Sequence, residues 1–291
     1  MDAIRLGSSS MVLPFAATDG IRLNGFLSAV EKHPKACIIF IHGMNGSAFS
    51  HIALCLAQSL PRDMAIFSFN NRGHGMVNGL SKYARGKRVR VIGGTGMERF
   101  EDCIFDIKGA IDSLSRLGYS HFILCGHSTG CQKAAYYQYK MHDRRVKGIV
   151  LVAPCDDYNL NKTNLGKNYS RIKGACARMI KSGKGNKMAP CAGGFSAQRF
   201  DSLINSKRAE ARMFNYDGDL KEFAAIKTPI LAVFGDQEEN TVKGVDECLL
   251  ILEDTTSSAK FSSLLIGGAN HSFEGKEKEL VKSISQWIRL L

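Results

Sequence analysis

No stretch of this 291-residue chain approaches 18 uninterrupted apolar residues, which excludes a helix able to cross a bilayer core about 30 Å thick. The opening residues Met1-Asp2-Ala3-Ile4-Arg5 lack a basic segment followed by a long apolar one, so no secretory leader is expected. Nine cysteines occur without a single Cys-Xaa-Xaa-Cys pair. Their odd number and apolar surroundings, as at Cys37, Cys55, Cys103 and Cys125, predict free thiols in the reducing cytoplasm and no metal centre built from them. Acidic residues are missing from one long interval: between Tyr158 and Pro190 there are eight Lys or Arg and no Asp or Glu. Most of the net charge of +12 lies there.

What is present suits one large globular α/β domain or two small ones, because a 44% hydrophobic share over this length can bury a sizeable core. Residues Met11 to Ala17 and Ile21 to Val30 read as two strands around the turn Thr18-Asp19-Gly20, the second alternating apolar and polar at its start. Ala36 to Ile41, Met64 to Phe69, His121 to Cys125, Gly148 to Pro154 and Ile230 to Gly235 are short runs with few or no polar positions, as expected of strands covered on both faces in a parallel sheet. Phe261 to Ile266 supplies a last strand. Helical spacing appears at Ile52, Ala53, Leu56 and Leu60, again from Phe100 to Leu114, and in a closing stripe from Leu280 to Leu291. Residues 76–95, basic and glycine-rich, receive no element.

Strand and helix alternate, so the sheet is mainly parallel with helices on both faces. The interval 155–227 shows no clean strand period and is too long for a plain crossover. It predicts an inserted, mostly helical cap between two parts of one core, 11–154 and 228–291.

Five residues, Gly126-His127-Ser128-Thr129-Gly130, join an apolar run to a stretch of helix-compatible composition from Cys131 to Met141. Alone the pattern is weak in a chain with 29 glycines. Its weight comes from what other strands deliver to the same sheet edge, the edge where ligands gather in open parallel sheets. One strand ends at His42-Gly43-Met44, one at Ser128, one at Gly235-Asp236-Gln237-Glu238 and the last at Gly267-Gly268-Ala269-Asn270-His271. Serine, acid and histidine thus follow one another in the chain, each just past a strand end. A serine hydroxyl needs an imidazole to take its proton and a carboxylate to orient that imidazole. His271 is the histidine that completes the order; His42 and His74 lie in glycine-flanked loops suited to structural hydrogen bonds, and His127 points away from its neighbour on such a turn.

On the segments His42-Gly43, Asn71-Arg72-Gly73-His74-Gly75, Gly126-His127-Ser128-Thr129-Gly130 and Gly268-Ala269-Asn270-His271, the chain resembles the α/β-hydrolase superfamily, from about Met11 to Leu291. The loop at Asn71 is similar to that of the carboxylesterase, lysophospholipase and serine-aminopeptidase-like branch. The resemblance implies an α/β-hydrolase fold, a Ser128 nucleophile with His271 as its base, and an oxyanion hole formed by the backbone N–H groups of Met44 and Thr129. Relatives carry an aspartate where this chain has Glu238. The acid is therefore Glu238 or Asp236, with Asp156 and Asp157 as further carboxylates after the preceding strand.

The expected reaction is cleavage of a small-molecule carboxylic ester by an acyl-enzyme route, without a cofactor. A peptidase, amidase or thioesterase would use the same residues, and a non-catalytic binding protein could use the basic cap. That cap suits an anionic substrate or an anionic lipid surface. Nucleic acid is disfavoured, because no aromatic-rich basic strand pattern accompanies the charge.

Overall fold

A computed structural model describes residues 10–29, 36–190 and 192–291. The terminal residues Met1 to Arg5, and Val30 at the end of the second expected strand, lie outside the described residues. Among the described residues ten strands form one sheet: β1 (Met11–Ala16), β2 (Ile21–Ala29), β3 (Ala36–Ile41), β4 (Met64–Asn70), β5 (Asn78–Ala84), β6 (Lys87–Gly93), β7 (Phe122–His127), β8 (Val146–Val152), β9 (Ile230–Gln237) and β10 (Phe261–Asn270). Their order is β10-β9-β8-β7-β3-β4-β2-β5-β6, with β1 paired to β2. From β10 to β4 every pair is parallel, and the central strands β3, β4, β7 and β8 are buried along nearly their whole length. An all-apolar strand tolerates only such a position.

Residues 76–95, to which the sequence assigns no element, form most of the antiparallel hairpin β5–β6, which extends the sheet beyond β2. Its basic side chains hide the strand period because both faces are largely solvated: Lys87, Arg88, Val89 and Arg90 are all exposed. Charged, exposed residues on an outermost strand discourage pairing with another chain.

Helices pack on both faces. Helices α1 (His51–Ser59) and α10 (Glu277–Ile288) pack together, as do α2 (Cys103–Arg116) and α3 (Thr129–Met141). Each buries the stripe read from the sequence: Ile107, Ile111 and Leu114 on α2, and Leu280, Ile284 and Ile288 on α10. A further helix, α9 (Val245–Thr255), joins β9 to β10.

Between β8 and β9 the chain forms α4 (Asp157–Leu165), α5 (Tyr169–Lys181), α6 (Ala197–Ile204), α7 (Ala209–Met213) and α8 (Lys221–Ala224). Ile172, Cys176, Phe200, Leu203 and Ile204 build a small apolar cluster of their own, against which Met44 packs from the β3 end. Met213, Phe214, Tyr216, Phe223 and Ile226 instead join the main core. Beneath α6 lies a buried ionic cluster in which Lys133 Nζ contacts both Glu98 carboxylate oxygens at 3.0 and 2.9 Å. Arg199 of α6 reaches Glu98 at 3.6 Å, donates to the Thr95 carbonyl at 2.9 Å and pairs with Glu210. Two cations thus balance two carboxylates out of water, the condition under which buried charge is tolerated. Burial would raise the Glu98 carboxyl, but Lys133 and Arg199 outweigh it and hold it below its ordinary value.

Candidate active site

Strand β7 runs into α3 through Ser128, whose φ of 55° and ψ of −130° lie outside the regions a side-chain-bearing residue prefers. A strained non-glycine backbone persists only where its surroundings fix it. Here the Ser128 N–H donates to the Val152 carbonyl at 3.0 Å, and its carbonyl accepts from Cys131 N–H at 2.8 Å. A methyl on Gly126 would lie 2.3 Å from the Gly130 carbonyl oxygen, and one on Gly130 would lie 2.0 Å from that of Ile41. Both glycines are therefore required by close approach, as the five-residue pattern implies. Gly43 is equally confined, since a methyl there would meet Ser128 Cβ at 2.8 Å and lie 3.3 Å from Ser128 Oγ.

The loop 42–46 thus lies against the serine. Thr129, first residue of α3, carries one of the N–H groups that a helix cannot satisfy internally. Among the described residues, neither its amide nor that of Met44 is engaged by a turn or loop carbonyl. His42 shapes this loop from below: its Nε2 accepts from Asn71 N–H at 3.2 Å, so its Nδ1 carries the proton and donates to the Gly43 carbonyl at 2.9 Å. Burial, with Lys133 nearby, lowers the His42 pKa to about 3. His74 Nδ1 contacts the Gly46 carbonyl at 2.9 Å. Both histidines are structural, as their glycine-flanked positions suggest.

On the far side of β7, His271 follows β10. Between Ile266, opposite Gly235, and Asn270, opposite Gln237, the register slips. Four residues of β10 face two of β9, and the resulting bulge turns the chain end inward. Asp236 Oδ1 accepts the Gly268 N–H at 2.7 Å within this bulge. Glu238 takes a different role: His271 Nδ1 lies 2.8 and 3.0 Å from its two carboxylate oxygens. Glu238 is itself held by Asn240 N–H at 2.8 Å, and His271 N–H donates to Glu239 at 3.0 Å. With Nδ1 donating to a carboxylate, Nε2 carries the free lone pair of the imidazole.

The turn that carries Ser128 is linked to the His271 loop through His127, the neighbour of Ser128 in the chain. His127 Nε2 lies 2.8 Å from the His271 carbonyl oxygen, which can only accept, so Nε2 carries the proton. The two rings are 5.0 Å apart. Burial, reinforced by His271, lowers the His127 pKa to about 4, so it stays neutral near pH 7.

The other carboxylates after β8 are engaged elsewhere. Asp156 caps α4, accepting from Asn159 N–H at 2.9 Å and Tyr216 N–H at 3.0 Å. Asp157 accepts from Gln132 Nε2 at 2.7 Å, and burial, with Glu210 nearby, pushes its pKa up to about 8. Sequence reasoning missed Cys155, whose Sγ lies 3.6 Å from His271 Nδ1, and Glu239. The signal for Cys155 was its place just past a strand end, the criterion already applied to Ser128 and Glu238.

The eight described cysteines are free thiols, and no helix among the described residues is long and apolar enough to cross a membrane. Seven of the eight basic residues between Tyr158 and Pro190 are exposed, Lys173 being partly covered.

A family model described as "Serine aminopeptidase, S33" matches residues 32–241. A search of curated protein sequences returns no match. Among solved structures, the chain is similar to Est1E from Butyrivibrio proteoclasticus, determined with ferulic acid bound, at 15% identity and a TM-score of 0.65, over 94% of this chain and 97% of that one. It is similar to a soluble variant of monoglyceride lipase from Saccharomyces cerevisiae, in complex with a substrate analog, at 14% identity and a TM-score of 0.62, over 94% and 93%. Carboxylesterase CesB from Bacillus subtilis gives 15% identity and a TM-score of 0.56, over 96% and 90%. At such identities these likenesses concern the α/β-hydrolase fold.

Proposed function

The chain belongs to the serine aminopeptidase (S33) family of α/β hydrolases, and from that premise we propose that it cleaves a carboxylic ester through an acyl-enzyme intermediate. Ser128 Oγ attacks the ester carbonyl carbon while His271 Nε2 takes its proton. Glu238, on the opposite ring nitrogen, fixes the tautomer and stabilises the imidazolium that forms. Negative charge develops on the carbonyl oxygen, and the Met44 and Thr129 amides are its assigned donors; a donor of this kind lowers the barrier by about 3 kcal/mol. His271 then passes its proton to the departing alcohol, draws one from water, and the acid is released as Ser128 is regenerated.

The observation that carries this reading is the contact of His271 Nδ1 with both oxygens of Glu238, on a loop tied to the strained Ser128 turn through His127. A scaffold protein has no use for a histidine whose second nitrogen is kept free. Residues 155–227 act as the cap, and the stretch from Tyr158 to Pro190 within them, with eight basic and no acidic residues, favours acyl groups that carry negative charge or present themselves on an anionic lipid surface.

The test is labelling with a fluorophosphonate, followed by assay on short-chain nitrophenyl esters. Modification of Ser128 that disappears in His271→Ala supports the enzyme; an unreactive Ser128 with no ester turnover leaves a binding protein. The family description favours one second reading, amide cleavage, and aminoacyl anilides assayed beside esters of the same acyl group distinguish the two.

A further inference from the structure

Three side chains of different chemistry meet at one nitrogen, and the proposed hydrolysis uses only two of them. Cys155 Sγ lies 3.6 Å from His271 Nδ1, and the Glu238 oxygens lie 2.8 and 3.0 Å from the same atom. One ligand atom from each residue falls within 4.8 Å of the other two. They stand at the ends of β8, β9 and β10, adjacent strands of the sheet, and so share a rigid frame. The Cys155 backbone is fixed on both sides, its N–H donating to the Ala153 carbonyl at 2.8 Å and its carbonyl accepting from Gln132 at 3.0 Å.

We propose that Cys155, Glu238 and His271 form a binding site for Zn2+ or a cation of similar softness, and that occupancy disables the imidazole as a base. Thiolate, imidazole and carboxylate are the three ligand types zinc prefers. Ordinary zinc bond lengths at a tetrahedral angle place sulfur and nitrogen about 3.6 Å apart and nitrogen and oxygen about 3.4 Å apart. The sulfur and nitrogen already stand at that spacing, and the carboxylate needs to withdraw by only about half an ångström, leaving the fourth position for water. Charge also closes: a dication, a thiolate and a carboxylate sum to zero, so the loaded site carries no net charge.

The proton balance explains the consequence. Metal binding expels the thiol proton to solvent. The imidazole remains neutral, but its Nδ1 lone pair now holds the metal, so its proton moves to Nε2. In the metal-free protein Nε2 is the free base of the proposed reaction; in the loaded protein it is an N–H. Inhibition therefore requires no obstruction of the substrate path, and it rests on the hydrolase reading, whereas metal binding does not.

Chelator-treated protein is titrated with Cd2+, and the thiolate-to-cadmium charge-transfer band is followed. The band should saturate at one equivalent, be displaced by Zn2+, and disappear in Cys155→Ser, with affinity falling at least about 100-fold. Glu238→Gln, which keeps the shape and removes the charge, should weaken binding by a smaller factor, and thermal unfolding of both variants establishes that they are folded. An undiminished one-equivalent band in folded Cys155→Ser, or no band at one equivalent in the parent, overturns the site. On esters, Zn2+ should inhibit with the midpoint of the binding titration and EDTA should restore the rate. Stoichiometric binding with undiminished hydrolysis overturns the tautomer argument. If the metal-free protein cleaves no ester while the band saturates, the hydrolase reading fails and the metal site stands.

Discussion

Glu238 and His271 are joined by two short contacts from both carboxylate oxygens to one ring nitrogen, whereas Asp236, two residues earlier, holds the Gly268 amide in the β10 bulge. Glu238→Gln should therefore lower kcat by roughly a thousandfold to ten-thousandfold, since the amide favours the wrong imidazole tautomer. Asp236→Asn keeps an acceptor for the Gly268 amide and should change kcat less than about tenfold. Steady-state kinetics on one nitrophenyl ester compare them directly; equal losses in both variants would unseat Glu238.

Ser128→Ala and His271→Ala should each reduce kcat by at least roughly ten-thousandfold, and the double variant should be little worse, because members of such a unit lose their value together. Additive losses would mean that the two residues act separately.

His127 is held neutral at pH values where a free imidazole charges, since its pKa falls to about 4 against an ordinary 6.5 or so. The unfolded chain binds the proton first as pH drops, so this contribution to stability is full above about pH 6.5 and is lost progressively down to about pH 4, a few kcal/mol in all. Urea unfolding midpoints should fall across that window, and the slope should be shallower in His127→Gln. His42 adds a loss that continues to lower pH, its pKa being about 3. An unchanged slope in His127→Gln would remove this histidine from the account.

Gly130→Ala places a methyl 2.0 Å from the Ile41 carbonyl oxygen, where only backbone movement relieves the overlap. Destabilisation of about 3 kcal/mol is expected, at the upper end of overpacking effects. Gly166, with open space around it, should cost less as alanine despite its positive φ. Denaturant titration of both variants checks the order.

The cap charge makes a prediction about salt. With seven exposed cations in one segment, an anionic ester should have a higher kcat/KM than a neutral ester of equal chain length at low ionic strength, and the advantage should shrink as the screening length falls from about 30 Å at 10 mM salt to about 8 Å at 150 mM. Equal, salt-insensitive rates for both esters would end the idea of steering.

The sheet core was legible because β3, β4, β7 and β8 are buried along most of their length and hold few polar residues, which leaves unmistakable apolar runs. The serine turn was legible for a related reason: Gly126 and Gly130 are forced by contact with neighbouring backbone. The hairpin β5–β6 was not, since Lys87, Arg88 and Arg90 face water and no burial constrains the alternation. Between Asp236 and Glu238, spacing from Gly235 favours Glu238, but the reason for their different partners was hidden. It depends on the β10 bulge, which brings Gly268 rather than His271 over Asp236, and no local pattern encodes a register slip between distant strands. Cys155 escaped notice because a thiol in an apolar segment reads as core until its neighbour across the sheet is known.

Met44 serves two masters. Its side chain packs against the small apolar cluster of the inserted helices, while its peptide belongs to the loop pressed against Ser128 through Gly43. A sideways slip of those helices would tug on the thioether and so on the peptide plane beneath it. On the proposed oxyanion role of the Met44 amide, accommodating a bulky guest under the helical layer and aligning that amide would be one mechanical event rather than two.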